Sequence, residues 1–320
     1  MLRVFQANRV GVLLLIPVLA GIYYALNDIT GCYELDSTSN LGLLGKFTFE
    51  QAWIPKILAP IIVCINAFAI SWIYNENTFY ERNTYTSALL YVVCMSFYHS
   101  FYSLDGLLLA HSCIIILLYQ YFLLRQNEDG RKHAFNGAFF GGLAAVFHPP
   151  LIALLPVLLM MLWSLRPFVF REMVLVILGF GLPLLYGAAY LWYAKHSIEL
   201  QIIQETGTYY KKQTDFLITS ALFSLLFMLS MLSIRSRMQK SSSRLKNLVR
   251  ILWFLVLIAV ILGLADYFLF NQIERFSLLT IPLSFFLTFA FNRQSNKGFE
   301  WVSDTLFYLT FAYSLTNYFL

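Results

Sequence analysis

The side chains able to move protons fall into a few groups along this sequence. Asp28, Glu34 and Asp36 follow the first apolar run. His99, Asp105 and His111 bracket the start of a later one, and His148 stands in Phe147-His148-Pro149-Pro150. Lys195, His196, Glu199, Glu205 and Lys211 share one polar stretch, and Glu274-Arg275 separates two further apolar runs. Carboxylates and imidazoles exchange protons near neutral pH after modest environmental shifts. Acids are also simply tolerated in polar connections, and that plainer role stands beside the chemical one for each residue. His148 is the most specific case. A proline pair breaks a helix and leaves backbone groups unpaired. An imidazole there either caps the break or, at a buried hairpin tip, holds an anion or a substrate group.

The elements that position these residues are apolar runs. Hydrophobic residues make up 59% of the 320 and charged residues 12%, against roughly 45–50% and about 25% in soluble domains. A chain so poor in charge cannot cover a water-facing surface, so its apolar excess faces lipid. A crossing takes about 20 residues, at ~1.5 Å per residue over ~30 Å of hydrocarbon. Candidate spans are 10–26, 54–74, 84–102, 107–124, 134–148, 150–164, 173–193, 216–234, 250–269, 277–291 and 301–320. The expected fold is therefore all-α, a polytopic transmembrane helical bundle with about eleven spans and a single membrane domain over 1–320. The run after Arg3 and Arg9 continues through Tyr23 and Tyr24 without a small-x-small cleavage site, and reads as an uncleaved first span.

Lys and Arg are retained on the cytoplasmic side. With the N-terminus inside, sixteen of the 22 basic residues fall inside, including Arg235, Arg237, Lys240, Arg244, Lys246 and Arg250 with no acid among them. Only Lys46, Lys56, Lys195, Lys211, Lys212 and Arg275 fall outside. The prediction is a cytoplasmic N-terminus and an outer C-terminus, in a multi-pass protein of the bacterial inner membrane. The stretch 134–164 is short for two crossings, ~22 Å per helix. It is either two short spans or a re-entrant hairpin buried in protein, which would leave nine full spans. The outer loop 194–215 has Ile198, Ile202 and Ile203 on one helical face, as a helix lying flat on the membrane would.

Polar residues inside spans are Asn66, His111, Gln120, Asp266 and Asp304. Buried charge is expensive there, which makes such groups functional candidates. Asp266 and Asp304 fall near span ends and count for less, and Asn66 reads as an interhelical hydrogen bond. Gly137-x-x-x-Gly141 with Gly142 permits close helix approach. Aromatics at span ends form an interfacial belt, although sugar-stacking aromatics would have the same pattern. Four cysteines without CxxC or Cys/His spacing give no disulfide framework and no metal site. Glycine-rich phosphate loops, GxSxG and HExxH are absent, which excludes ATP-driven transport within this chain. No cofactor and no nucleic-acid partner is expected.

One region carries a resemblance. Gly137-Ala-Phe-Phe-Gly-Gly-Leu-Ala-Ala-Val-Phe-His-Pro-Pro-Leu-Ile-Ala-Leu-Leu-Pro156 is followed by Leu165-Arg166-Pro167-Phe168-Val169-Phe170-Arg171-Glu172 and a span containing Gly179, Gly181 and Pro183. It resembles a family of bacterial inner-membrane proteins of similar length and no assigned function. More distantly, it is similar to the fifth-to-seventh-span region of GT-C type membrane glycosyltransferases, where His148 stands at a position often held by Lys. The resemblance implies a GT-C-like core within 1–193, additional spans over 194–320, and a polyprenyl-phosphate-linked sugar donor used on the outer face. It also implies a catalytic acid in the first outer loop, at Glu34, Asp36 or Asp28, acting as general base on an acceptor hydroxyl. Phosphate-holding groups would then be His148, Lys195, Lys211 and Arg275, with His111 nearby in span four. The loop departs from the family in being short and in lacking an adjacent acidic pair, and no outer C-terminal domain follows. The other reading is a non-enzymatic protein whose partners are membrane lipids or the members of an envelope complex: a lipid or small-molecule transporter, or a structural subunit. An enzyme requires these residues to converge, whereas a subunit can leave them scattered.

Overall fold

Inside hydrocarbon, a helix satisfies its backbone groups by itself, and the computed structural model is built almost wholly from helices. It describes residues 2–6, 9–31, 33, 38–49, 51, 53–80, 82–124, 129–166, 169–193, 213–239, 241–270, 272–291 and 297–318. Among them are twelve α-helices: α1 (Leu2–Gln6), α2 (Leu15–Thr30), α3 (Trp53–Glu76), α4 (Thr86–Met95), α5 (Gly106–Leu124), α6 (Arg131–Phe147), α7 (Leu154–Leu165), α8 (Phe170–Tyr193), α9 (Gln213–Met238), α10 (Ser243–Phe270), α11 (Thr280–Phe291) and α12 (Lys297–Thr316). The first long connection holds an antiparallel hairpin of β1 (Thr38–Asn40) and β2 (Lys46–Thr48). Seven helical stretches are long and apolar enough to cross a membrane: Val10–Thr30, Trp53–Glu76, Gly106–Leu124, Phe170–Tyr193, Ile218–Arg235, Ser243–Phe270 and Glu274–Phe291. The chain is an all-helical bundle of membrane-protein character. The expected flat helix at 194–215 falls largely outside the described residues.

The widest departure from the expected spans is at 84–102. The helix there stops at Met95 after ten residues, about 15 Å, and a turn leads to a short 3₁₀ segment at His99–Phe101. All of Thr86–Met95 is buried. A helix apolar on every side sits in the middle of the bundle, so its hydrophobicity reports protein neighbours rather than lipid. Tyr102 Oη holds the following turn by donating to the Ser96 carbonyl at 2.9 Å.

Long-range contacts sort the chain into two ends. At the amino-terminal end, Tyr85 N donates to Phe5 O at 2.9 Å, and Gln6 Nε2 donates to Phe291 O at 2.9 Å. At the opposite end, here called the first-loop end, Tyr24 Oη donates to Phe101 O, Tyr23 Oη bonds Ser314 Oγ at 2.6 Å, and Tyr102 meets Tyr318. The hairpin 134–164 runs between the two. Gly130, just before α6, lies against Arg166 and Glu172, while the carbonyl of Phe147 at its far end faces Gly106, the first residue of α5. So the end of α6 stands beside the start of α5.

Close backbone approach fixes α6 against α8. A Cβ on Gly142 would fall inside the carbonyl of Phe180, and one on Gly179 would lie 2.6 Å from Phe135 O. The glycines at 137 and 141 instead take the ring of Tyr121 and the side chains of Leu117 and Leu158. This is the packing role expected of that glycine pattern.

Candidate functional site

The turn Glu274–Leu279 is where the separated polar residues meet. It is a 3₁₀ segment leading into α11, and three of its first four side chains each reach a different element. Arg275 NH1 lies 2.9 Å from Asp266 Oδ1, near the end of α10. That contact is an ion pair by distance, without hydrogen-bond alignment. Arg275 Nε donates to His148 Nε2 at 3.2 Å, and its guanidinium carbon lies 5.7 Å from the centre of the Phe270 ring. Because Nε2 of His148 accepts, a neutral imidazole here carries its proton on Nδ1. Arg275, Asp266 and His148 are all buried.

Ser277 holds the second strand of the layer. His111 Nε2 is 3.2 Å from Ser277 Oγ, and His111 Nδ1 is 3.3 Å from Tyr91 Oη. Asn66 Nδ2 donates to that same hydroxyl at 3.5 Å. The hydroxyl of Tyr91 thus bridges Asn66 and His111, and the imidazole bridges Tyr91 and Ser277, one nitrogen donating and the other accepting when it is neutral. The result is a continuous hydrogen-bonded series across α3, α4, α5 and the turn. Asn66 makes the interhelical bond expected of it.

Glu274 forms the third strand. Its Oε1 accepts from the His99 backbone N–H at 3.3 Å, and its Oε2 lies 3.4 Å from Ser100 Oγ. The same serine donates to Asp105 Oδ2 at 3.0 Å, and Asp105 Oδ1 accepts from Leu108 N at 2.8 Å. Asp105 immediately precedes α5 and bonds its third residue, the geometry of an N-cap. Burial raises the Asp105 carboxyl from its usual range, against these hydrogen bonds and the nearby His99. Among the described residues, no three His, Cys, Asp or Glu side chains gather as a metal site.

Above this layer lies the first connection. Asn27 clamps Tyr33 from both sides, accepting from its N–H at 2.8 Å and donating to its carbonyl at 3.1 Å. The Tyr33 ring stacks on Tyr102 at 4.7 Å. On the far side, Gly42 takes φ +64° and lies against the carbonyls of Val146 and Phe147, where a side chain has no room. A Cβ on Gly106 would meet Phe147 O and stand 3.1 Å from Asn40 O. The connection thus folds back over the bundle and packs on the residue before His148.

Of the residues singled out from sequence, His148, His111 and Arg275 come together. Asp28 does not join them: it is exposed and pairs with Lys56 at 3.9 Å on the surface. Glu34, Asp36, Lys195 and Lys211 lie outside the described residues, as do His196, Glu199 and Glu205. Asp266, discounted for its place near a span end, is 1% exposed and central to the layer. Tyr91, Ser100 and Ser277 carried no sequence signal, since nothing in a tyrosine or serine within an apolar run marks which partner it will meet. No family model, no curated protein and no solved structure matches this chain.

Proposed function

We propose that this integral membrane protein acts at its first-loop end on a lipid-linked phosphate, in the manner of the GT-C-like transferases its central region resembles. The observation that carries this reading is convergence. His148, His111 and Arg275 come from three distant segments into one buried layer, directly beneath a connection that bears the candidate acids. In this reading Arg275 and His148 hold the phosphate of a polyprenyl-phosphate-linked sugar as fixed positive and donor groups. Glu34 or Asp36 takes the acceptor proton, and the sugar passes to the acceptor oxygen as its bond to the phosphate breaks. The Arg275–Asp266 pair keeps the cation charged and aimed before substrate arrives.

A test uses the purified full chain in detergent, unfolded by heat with polyprenyl phosphate or with the uncharged polyprenol. At a hundredfold excess over its dissociation constant, a ligand that binds only the folded state adds about 2.7 kcal/mol. The phosphate is expected to stabilise the wild type and not His148→Gln, with the alcohol weaker on both. Equal stabilisation by alcohol and phosphate would remove the phosphate from the site.

The second reading is a non-enzymatic protein, a transporter or a subunit of an envelope complex. It is favoured by the way each charge in the layer already has an internal partner. In that case neither ligand shifts the transition in a His148-dependent way. Both readings share the proposed orientation, with an odd number of crossings (eleven, or nine if 134–164 re-enters), the amino-terminal end in the cytoplasm and the first-loop end outside. A reporter fused after Lys246 is expected on the cytoplasmic side and one after Leu320 on the outer side. A cytoplasmic C-terminus would make the number of crossings even.

A further inference from the structure

The turn that gathers the polar layer has a second face. In a 3₁₀ segment, residues three apart eclipse one another, so Ile273, Phe276 and Leu279 line up on a side that Glu274, Arg275 and Ser277 do not share. That side is one wall of a crevice of about 380 Å³. α9 and α10 each pack on α11, and the crevice lies between them. α9 contributes Phe223 and Phe227 and α10 contributes Trp253 and Val260, with Leu283 of α11 at the back.

Three features define what fits. The deep end is closed, because Phe227 meets Trp253 edge-on at 5.8 Å and Trp253 rests on Phe286 at 5.3 Å. Two of the hydroxyls along the walls are taken up by backbone carbonyls. Ser224 Oγ donates to Ala221 O at 2.8 Å, and Thr280 Oγ1 to Ser277 O at 2.6 Å. The rest of the lining is mostly apolar and aromatic, which offers water few of the two to four polar partners it needs. Finally, all three walls belong to stretches apolar enough to cross a membrane, so the medium at its open side is hydrocarbon. Left empty, the aromatic walls would forfeit dispersion contacts on one face.

We propose that this crevice is a binding site for one acyl chain of a membrane phospholipid, with the chain end at the Phe227–Trp253 floor. The volume lies at the lower part of the ~300–1,000 Å³ typical of ligand sites, room for one chain and not for a two-chain lipid. From Thr219 to Phe227 the wall is nine residues of helix, with eight rises of ~1.5 Å giving about 12 Å of depth. Thr219 and Ile273 mark the end of the crevice nearest the polar layer. The proposal stands apart from the phosphate reading, because the crevice lies across the turn from Arg275 and needs none of its charge.

The test is native mass spectrometry of the full chain released from bilayers of phosphatidylethanolamine and phosphatidylglycerol. The wild type is expected to keep one phospholipid. The filled variant Ser224→Phe/Val260→Phe is expected to lose it at least tenfold, with its size-exclusion profile unchanged. No retained lipid in the wild type, equal retention in a folded filled variant, or retention of an isoprenoid phosphate in place of a phospholipid overturns the proposal. Should the filled variant fail to fold, wild-type labelling decides. A phospholipid with a photoreactive group at the end of one chain is expected to mark residues 219–227 and 253–260. Marks confined to outward-facing Leu178, Leu185 and Phe268 overturn the site.

Discussion

Replacing Arg275 by Ala is expected to destabilise the folded chain by about 3–5 kcal/mol, because it strands a buried carboxylate and removes the donor to His148. The Asp266 side chain is 1% exposed and that of Arg275 8%, so water cannot replace the lost partner. The same physics predicts that the pair is dispensable as a pair. Desolvating two ions costs about as much as their attraction returns, and apolar substitutes of similar volume are often neutral or stabilising. The double variant Arg275→Met/Asp266→Leu should therefore recover most of the loss in thermal or denaturant unfolding in detergent. The two singles and the double form a cycle, and a coupling below roughly 0.5 kcal/mol is what independent sites give. That result, or a cost for Arg275→Ala under about 1 kcal/mol, would show that the pair is not shielded. If the double variant is stable but no longer responds to polyprenyl phosphate, the layer serves binding rather than folding.

Gly142→Ala is expected to cost at least as much as typical overpacking, about 1–3 kcal/mol, because the obstacle is backbone. The added methyl would fall inside the Phe180 carbonyl, and neither α6 nor α8 can yield without moving as a whole helix. The control lies on α8 itself. Gly181 has nothing within 4 Å of its would-be Cβ, so Gly181→Ala should be neutral or stabilising by up to about 1 kcal/mol through helix propensity. Unfolding midpoints of the two variants under identical detergent conditions make the comparison. Equal midpoints would mean that α6 and α8 do not approach as closely as described. The effect should extend to the site, since α6 ends at Phe147 and sets the position of His148.

The first connection shows how far local sequence reading reaches. The described part of that connection folds back against Phe147 and Gly106. What anchors it was not legible. The Asn27–Tyr33 clamp and the Tyr33–Tyr102 stack join residues whose types are ordinary at a span end, where an aromatic belt already accounts for them. The helix α4 marks the opposite limit. Hydropathy alone gave 84–102 the look of a lipid-facing crossing, although its ten helical residues touch only protein. A transfer scale scores removal from water and does not distinguish lipid from a packed neighbour.

By itself the sequence determined the class of this protein. Charge at 12% and apolar runs of spanning length leave no soluble alternative, and the residue types that could do chemistry were already limited to a handful. Those are properties of composition and of periods within one helix, where each residue contributes independently. Which residues meet was decided only by tertiary structure. His148 and Arg275 are 127 positions apart, and His111 and Ser277 are 166 apart. Their meeting depends on the height at which α6 ends and on one turn before α11 adopting a threefold winding. That winding sends Arg275 to the polar layer and Phe276 to the crevice. An α-helical turn would rotate the same residues by about 100° each instead of 120° and shift both faces, a difference that no local pattern in the sequence encodes.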